Sequence, residues 1–253
     1  METKFVNKNS IVTKIWGKAD TVLFIFAGAA AEFALNKAVD WLYFTGKLPA
    51  DPLERLFSTV SYAREIIFSD EEAALQAIDR ITAIHKGVEK SRGAQIPDWA
   101  YRDVLFLLID YSIRSFELLE RNLTIGEKTE VFEVFNRVGQ RMGLADLPTN
   151  YPDWMVMREQ HLRDNLICSE FTADLYRQYK KHLGKLRYFV LKQVQLLLTP
   201  TKVSKLVLPA EKSWLWPALF GYKMLRFLKI AGPFKNVLLP GQYKTRINDL
   251  NVN

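Results

Sequence analysis

Residues 103–121 read DVLFLLIDYSIRSFELLER. Placed on a helix of 3.6 residues per turn, this stretch is apolar on most sides, so it is expected at the centre of a helical bundle. Just beyond it, Thr124-x-x-Glu127 is a capping box that opens another helix, and Gly143 closes that helix. Upstream, Ser69-Asp70-Glu71-Glu72 is a second capping-box pattern. It leads a helix through Ala74, Ile78, Ile81, His85 and Val88 that ends before Gly93. Asp51-Pro52 suits the start of the helix before that one, Asp as N-cap and Pro at the first helical position. The apolar run 21–31, TVLFIFAGAAA, is bounded by Asp20 and Glu32. A membrane span needs about 20 apolar residues, so the run predicts a core helix, extending over 21–44 and stopping near Gly46. After the loop ADLPTNYPDW, helices are expected over 154–179, 181–198 and 214–228, with stops at Thr199-Pro200 and Gly232-Pro233. No β-branched alternation with hairpin turns interrupts this pattern. The expectation is an all-α fold in a single domain spanning residues 1–253.

Composition narrows the chemistry. A 253-residue chain with 49% apolar and 25% charged residues can bury a real core, which excludes disorder. The single cysteine, Cys168, excludes an internal disulfide framework, a cysteine zinc site and an iron–sulfur cluster, and reads as a small core hydrophobe. His161 and His182 sit in the charged surroundings REQHLRDN and QYKKHLGK and are expected at the surface. Nucleotide-loop, zinc-protease and nucleophile-elbow signatures are missing. No histidine has a glutamate three residues before it, which removes the carboxylate-bridged di-iron bundle. The N-terminal stretch lacks the apolar core and cleavage site of a secretory signal. Together these point to a cytoplasmic protein.

Charge is divided unevenly. Residues 174–253 hold 15 Lys and Arg against 3 Asp and Glu, whereas residues 1–173 hold 20 against 25. The basic part mixes its cations with Trp, Phe and Leu, as in WLWPALFGYKMLRFLKIAGPFKNVLLPGQYKTR over 214–246. One reading is a solvated face that balances the acidic front half. The other is a peripheral contact with an anionic membrane surface through residues 200–246, where an amphipathic basic helix lies in the interface. No nucleic-acid module is present, so nucleic acid is not expected as a partner.

Two features carry candidate chemistry. Arg55 and Thr59 lie one turn apart on one face of the second helix, amid Leu56 and Val60. An inward-pointing arginine needs an anion, because a buried charge without one is costly. A structural partner such as Glu54 or Asp51, or a surface position, would satisfy it equally. His85 follows Ile78 and Ile81 on an apolar stripe. It is either a core histidine or a single axial ligand for a cofactor that brings its remaining ligands, as haem does.

These residues in their order resemble a known family. Trp16-Gly17, an Ala/Gly-rich apolar helix, Asp51-Pro52-Leu53-x-Arg55-Leu56-x-x-Thr59, Phe68-Ser69-Asp70-Glu71-Glu72-Ala73 and Ile84-His85-x-x-Val88 are similar to the MpaB and rubber-oxygenase (latex-clearing protein) catalytic domain. The likeness covers residues 15–147 and includes Arg141-Met142-Gly143-Leu144 and Leu147-Pro148. It implies an all-α haem b oxygenase that uses molecular oxygen on an apolar, isoprenoid or lipid substrate. His85 then matches the proximal iron ligand, and Arg55 and Thr59 match residues on the helix across the haem. In that assignment Arg55 offers charge and donors to bound oxygen or a haem carboxylate, with Thr59 and Ser58 fixing it. The chain departs from the family at Ser58, where rubber oxygenases place lysine. It departs again at Asn36-Lys37, in place of a His-Pro pair, and at Val104-Leu105-Phe106-Leu107-Leu108, which replaces a histidine-containing run. These departures favour an alternative: a non-catalytic helical ligand-binding or membrane-surface protein that kept the fold.

Overall fold

The computed structural model describes residues 3–46, 50–208, 213–215, 217, 221 and 222, apart from the Leu56 side chain. Among them ten helices form: α1 Ile11–Trp16, α2 Ala19–Phe33, α3 Val39–Phe44, α4 Pro52–Phe68, α5 Glu71–Arg92, α6 Asp98–Leu119, α7 Ile125–Arg141, α8 Tyr151–Asp164, α9 Glu170–Leu198 and α10 Thr201–Val207. No strand forms among the described residues; Lys4 with Asp70 and Asn36 with Leu166 are isolated bridges. The all-α expectation holds.

The central place expected for residues 103–121 goes to α6, which lies between α2 and α7 and also touches α8 and α9. Leu105, Phe106, Ile109, Tyr111, Phe116 and Leu119 are all buried along it. Close approach of α2 depends on Gly28, since a Cβ there would fall 2.3 Å from the Tyr111 ring. The short α1, which the apolar pattern did not reveal, packs against α2, α4 and α7. Its Trp16 is fully buried, donates from Nε1 to Ser112 Oγ at 3.1 Å and packs edge-on to Phe26.

Caps follow the residues with one shift. Thr124 and Glu127 form the capping box of α7, and Asp51 accepts from the Leu53 and Glu54 amides at the start of α4. At α5 the cap is Asp70, one residue later than the Ser69 pattern predicts, and it accepts from the Ala73 amide.

Two expected helices break where apolar periodicity runs on. The 21–44 helix ends at Phe33 and resumes as α3 at Val39. The 154–179 helix ends at Asp164, and α9 starts at Glu170 and runs through the expected boundary near 180. The two interruptions lie against each other and satisfy each other's backbone groups. The Lys37 amide donates to the Asn165 carbonyl at 2.9 Å, the Ile167 amide to the Leu35 carbonyl at 2.7 Å, and Thr172 Oγ1 to the Ala34 carbonyl at 2.7 Å. Within α9 the bend falls at Gly184, whose φ of 75° is the left-handed region that glycine enters without strain. Leu198 ends α9 before Thr199-Pro200, as expected. Most of the expected 214–228 helix and the Gly232-Pro233 stop lie outside the described residues.

Candidate functional site

Helices α4 and α5 pack against each other, joined by an Arg80–Glu65 ion pair. This brings Arg55 and His85 close enough for the arginine's charge to act on the imidazole. Arg55 is half-buried and has no ion pair among the described residues. The two carboxylates that could have satisfied it do not: Asp51 caps α4, and Glu54 is exposed. Burial lowers the pKa of the guanidinium, with Tyr62 opposing. Its Nη1 donates to Ser58 Oγ at 3.3 Å, and Ser58 in turn donates to the Arg55 carbonyl at 2.8 Å. Thr59 Oγ1 donates to the same carbonyl at 3.2 Å. Of the two hydroxyls, Ser58 is therefore the one that touches the guanidinium.

His85 is half-buried, with Nδ1 shut away from solvent and without a hydrogen-bond partner. The Tyr101 ring packs edge-on against it, with centroids 5.2 Å apart. Burial first, then the Arg55 cation, pulls the imidazole pKa down from 6.5 to about 4, against an opposing pull from Glu89. The ring is neutral at physiological pH. Glu89 is held by the Ile96 amide at 2.9 Å and the Tyr101 hydroxyl at 3.2 Å, and burial with Glu89 raises the pKa of Tyr101. One turn further along α5, Arg92 pairs with Asp40 at 2.7 Å and lies 4.0 Å over the Trp41 ring, tying α3 to the site.

Neutrality at His85 has a measurable cost. Between pH 6.5 and about 4 the unfolded chain takes up a proton that the folded chain refuses. Folded stability should therefore fall as pH drops through that window and recover above it. The contribution is on the order of 2 kcal/mol. Urea midpoints of the haem-free chain measured from pH 4.5 to 7 should fall less steeply on acidification in His85→Gln than in wild type; parallel curves would refute the assignment.

Other expected positions change. His161 is not a surface residue: its side chain is 11% exposed, and Nδ1 bonds Asp103. Asp103 also accepts from Asn36 Nδ2 at 2.7 Å and Asn165 Nδ2 at 2.9 Å, and the His161 ring packs 5.0 Å from Phe106. So the departures at Asn36 and in the 104–108 run meet in a second buried cluster, grouped with Asp103 and His161. His182 is also not at the surface. Its side chain is 20% exposed, Nε2 is buried without a partner, and Nδ1 lies 3.9 Å from Asp51. Cys168, expected in the core, is exposed, because it sits in the turn between α8 and α9.

A third buried group was not foreseen. Arg158, 5% exposed, donates from Nη2 to Glu32 Oε2 at 2.6 Å and to Asp110 Oδ2 at 2.9 Å, and from Nη1 to Glu32 Oε1. The Tyr111 hydroxyl donates to Glu32 at 2.9 Å, and Arg114 Nε to Asp110 at 2.7 Å. The one signal available beforehand was Asp110 inside LFLLIDYSI, a carboxylate on a helix expected to be buried on most sides. Fully partnered, this group reads as structure.

Among the described residues no cluster of three His, Cys, Asp or Glu could hold a bare metal ion. Arg55 and His85 offer one cation and one neutral imidazole rather than a set of carboxylate or thiolate ligands. Residues 14–231 match the family described as ER-bound oxygenase mpaB/B'/rubber oxygenase, catalytic domain. The chain belongs to this family. The match spans α2 to α10, so the family's oxygenase catalytic domain is the unit to which Arg55 and His85 belong. No curated protein and no solved structure gives a match.

Proposed function

We propose that the chain is a haem b-dependent oxygenase acting on an apolar substrate, isoprenoid or lipid in character. One observation carries this reading: a neutral, partnerless, buried imidazole nitrogen at His85 beside an arginine that has no carboxylate among the described residues. Iron asks for a neutral imidazole, and a haem asks the chain for as little as one. Haem, when bound, supplies the activation of molecular oxygen. His85 offers the iron ligand, and burial, helped by the Arg55 cation, keeps its imidazole unprotonated. Arg55 also sets positive charge and N–H donors against negative charge gathering at the site, where such donors are strongest. Ser58 orients that guanidinium. Thr59, committed to the Arg55 carbonyl, shapes the helix.

No described helix is long and apolar enough to cross a membrane. The basic, aromatic segment 200–246 supports peripheral contact with an anionic membrane, from which an apolar substrate would be drawn.

Hemin titration of the purified chain tests the proposal. A Soret band that saturates at one hemin per chain is expected. A folded chain with no band would overturn it and favour the second reading, a helical binding protein that kept the fold. The burial of Asn36 against Asp103, and of Leu105, Phe106 and Leu107 in the core, favours that reading.

A further inference from the structure

We propose that the second half of α9, with Trp214, is a docking knuckle for an anionic membrane surface. This deepens the peripheral-membrane clause of the proposed function and places the contact ahead of most of the 200–246 segment. The bend at Gly184 starts a new helical run whose first turns carry Leu186, 68% exposed, and Phe189, 46% exposed. Residues i and i+3 are neighbours on a helix, so these two side chains stand together. One turn on, Gln193 is buried, and its Oε1 accepts from the Trp214 amide at 2.7 Å and the Ser213 hydroxyl at 3.2 Å. The Leu215 amide donates to Ser213 Oγ at 3.1 Å, and Leu215 packs on the core. Trp214 is thus held by its backbone at a fixed place while its side chain stays 81% exposed.

Single exposed apolar residues are ordinary, but an exposed Leu186–Phe189 pair on one helix, with Trp214 tied by its backbone to Gln193 one turn further on, is not. Its charge points to one occupant. Lys185 and Lys192 flank the pair, and Lys192 Nζ lies 5.0 Å from the Tyr188 ring centre. Between Asp174 and Glu211 the chain has eight Lys and Arg and no Asp or Glu. A stable protein interface covers about 800 Å² per partner, more than three side chains provide. A bilayer interface asks only that apolar tips enter the headgroup boundary while lysines meet anionic lipid, and tryptophan favours that boundary.

The test uses the full chain and vesicles of phosphatidylcholine with or without phosphatidylglycerol. Flotation with the anionic vesicles only is expected, together with a blue shift of tryptophan emission. Leu186→Glu with Phe189→Glu should weaken binding at least about tenfold. Each of Lys185→Gln and Lys192→Gln should weaken it about fivefold. Trp214→Phe should keep flotation and lose most of the blue shift. Unchanged flotation of the double-Glu variant would overturn the proposal and move the contact to residues 223–246. Equal binding to neutral vesicles, or no flotation, would also overturn it. So would a wild-type dimer that the double-Glu variant separates, since the face would then be covered by a second copy. Hemin spectra of these variants should match wild type, so failure here and failure of the haem reading are separate results.

Discussion

Alanine at His85 is expected to abolish the Soret band of the hemin-loaded chain, with affinity falling more than about hundredfold. The effect is large because no second histidine touches His85: His161 is bound to Asp103 and the nearest carboxylate of His182 is Asp51. Removing His85 also removes the buried Nδ1 that has no other partner. To separate a ligand from a packing residue, His85→Gly is the better companion, because imidazole added in solution should restore the band in the space left behind. Neighbouring hydroxyls give a finer check. Ser58→Ala releases the Arg55 guanidinium and should weaken hemin binding several-fold, about 1 kcal/mol for one hydrogen bond to a charged group. Thr59→Ala removes only a bond to a backbone carbonyl and should leave binding near wild type. A Soret band retained in His85→Ala, or a Thr59 effect exceeding the Ser58 effect, would contradict the assignment.

Arg158→Ala should destabilise the fold by about 3–5 kcal/mol, because it strips the shared cation from two buried carboxylates. Total stabilities of domains are about 5–15 kcal/mol, so the variant should unfold at much lower urea concentration or fail to accumulate. Burial pushes the pKa of Asp110 up, and the Arg158 and Arg114 guanidiniums more than reverse that, holding it below the usual carboxylate range. Without Arg158 the carboxylate is easier to protonate. The deficit of the variant should therefore shrink as pH falls, since wild type loses its ion pairs on acidification and the variant has fewer to lose. For contrast, Arg177→Ala breaks a pair whose arginine is 74% exposed and should cost less than about 1 kcal/mol. A loss at Arg158 no larger than at Arg177, measured by urea unfolding, would mean the buried pairs are not holding α2, α6 and α8 together.

What a residue does to its near neighbours could be read in advance. Asp51 accepting from Leu53 and Glu54, the Thr124–Glu127 box and the apolar faces of α4 to α7 all arise within a few residues along the chain. The family resemblance rested on the same kind of local order, and so did the choice of Arg55 and His85. The breaks at 34–38 and 165–169 could not be read, because apolar periodicity continues through both. They form because Asn36 and Asn165 bind one Asp103 carboxylate 67 and 62 residues away, and because each interrupted backbone satisfies the other. The same holds for the side chains misplaced by local reading. His161 is drawn inward by Asp103, and Arg158 by Glu32, 126 residues earlier. The amino-acid sequence by itself determined the helical class, most of the caps and the choice of one arginine and one histidine on two successive helices, since these depend on hydrogen bonds and faces local to each segment. Only the tertiary structure decided which charges are buried, that Arg55 has no carboxylate among the described residues and that His85 has a partnerless nitrogen, because burial and partnership depend on which distant segments the core brings together.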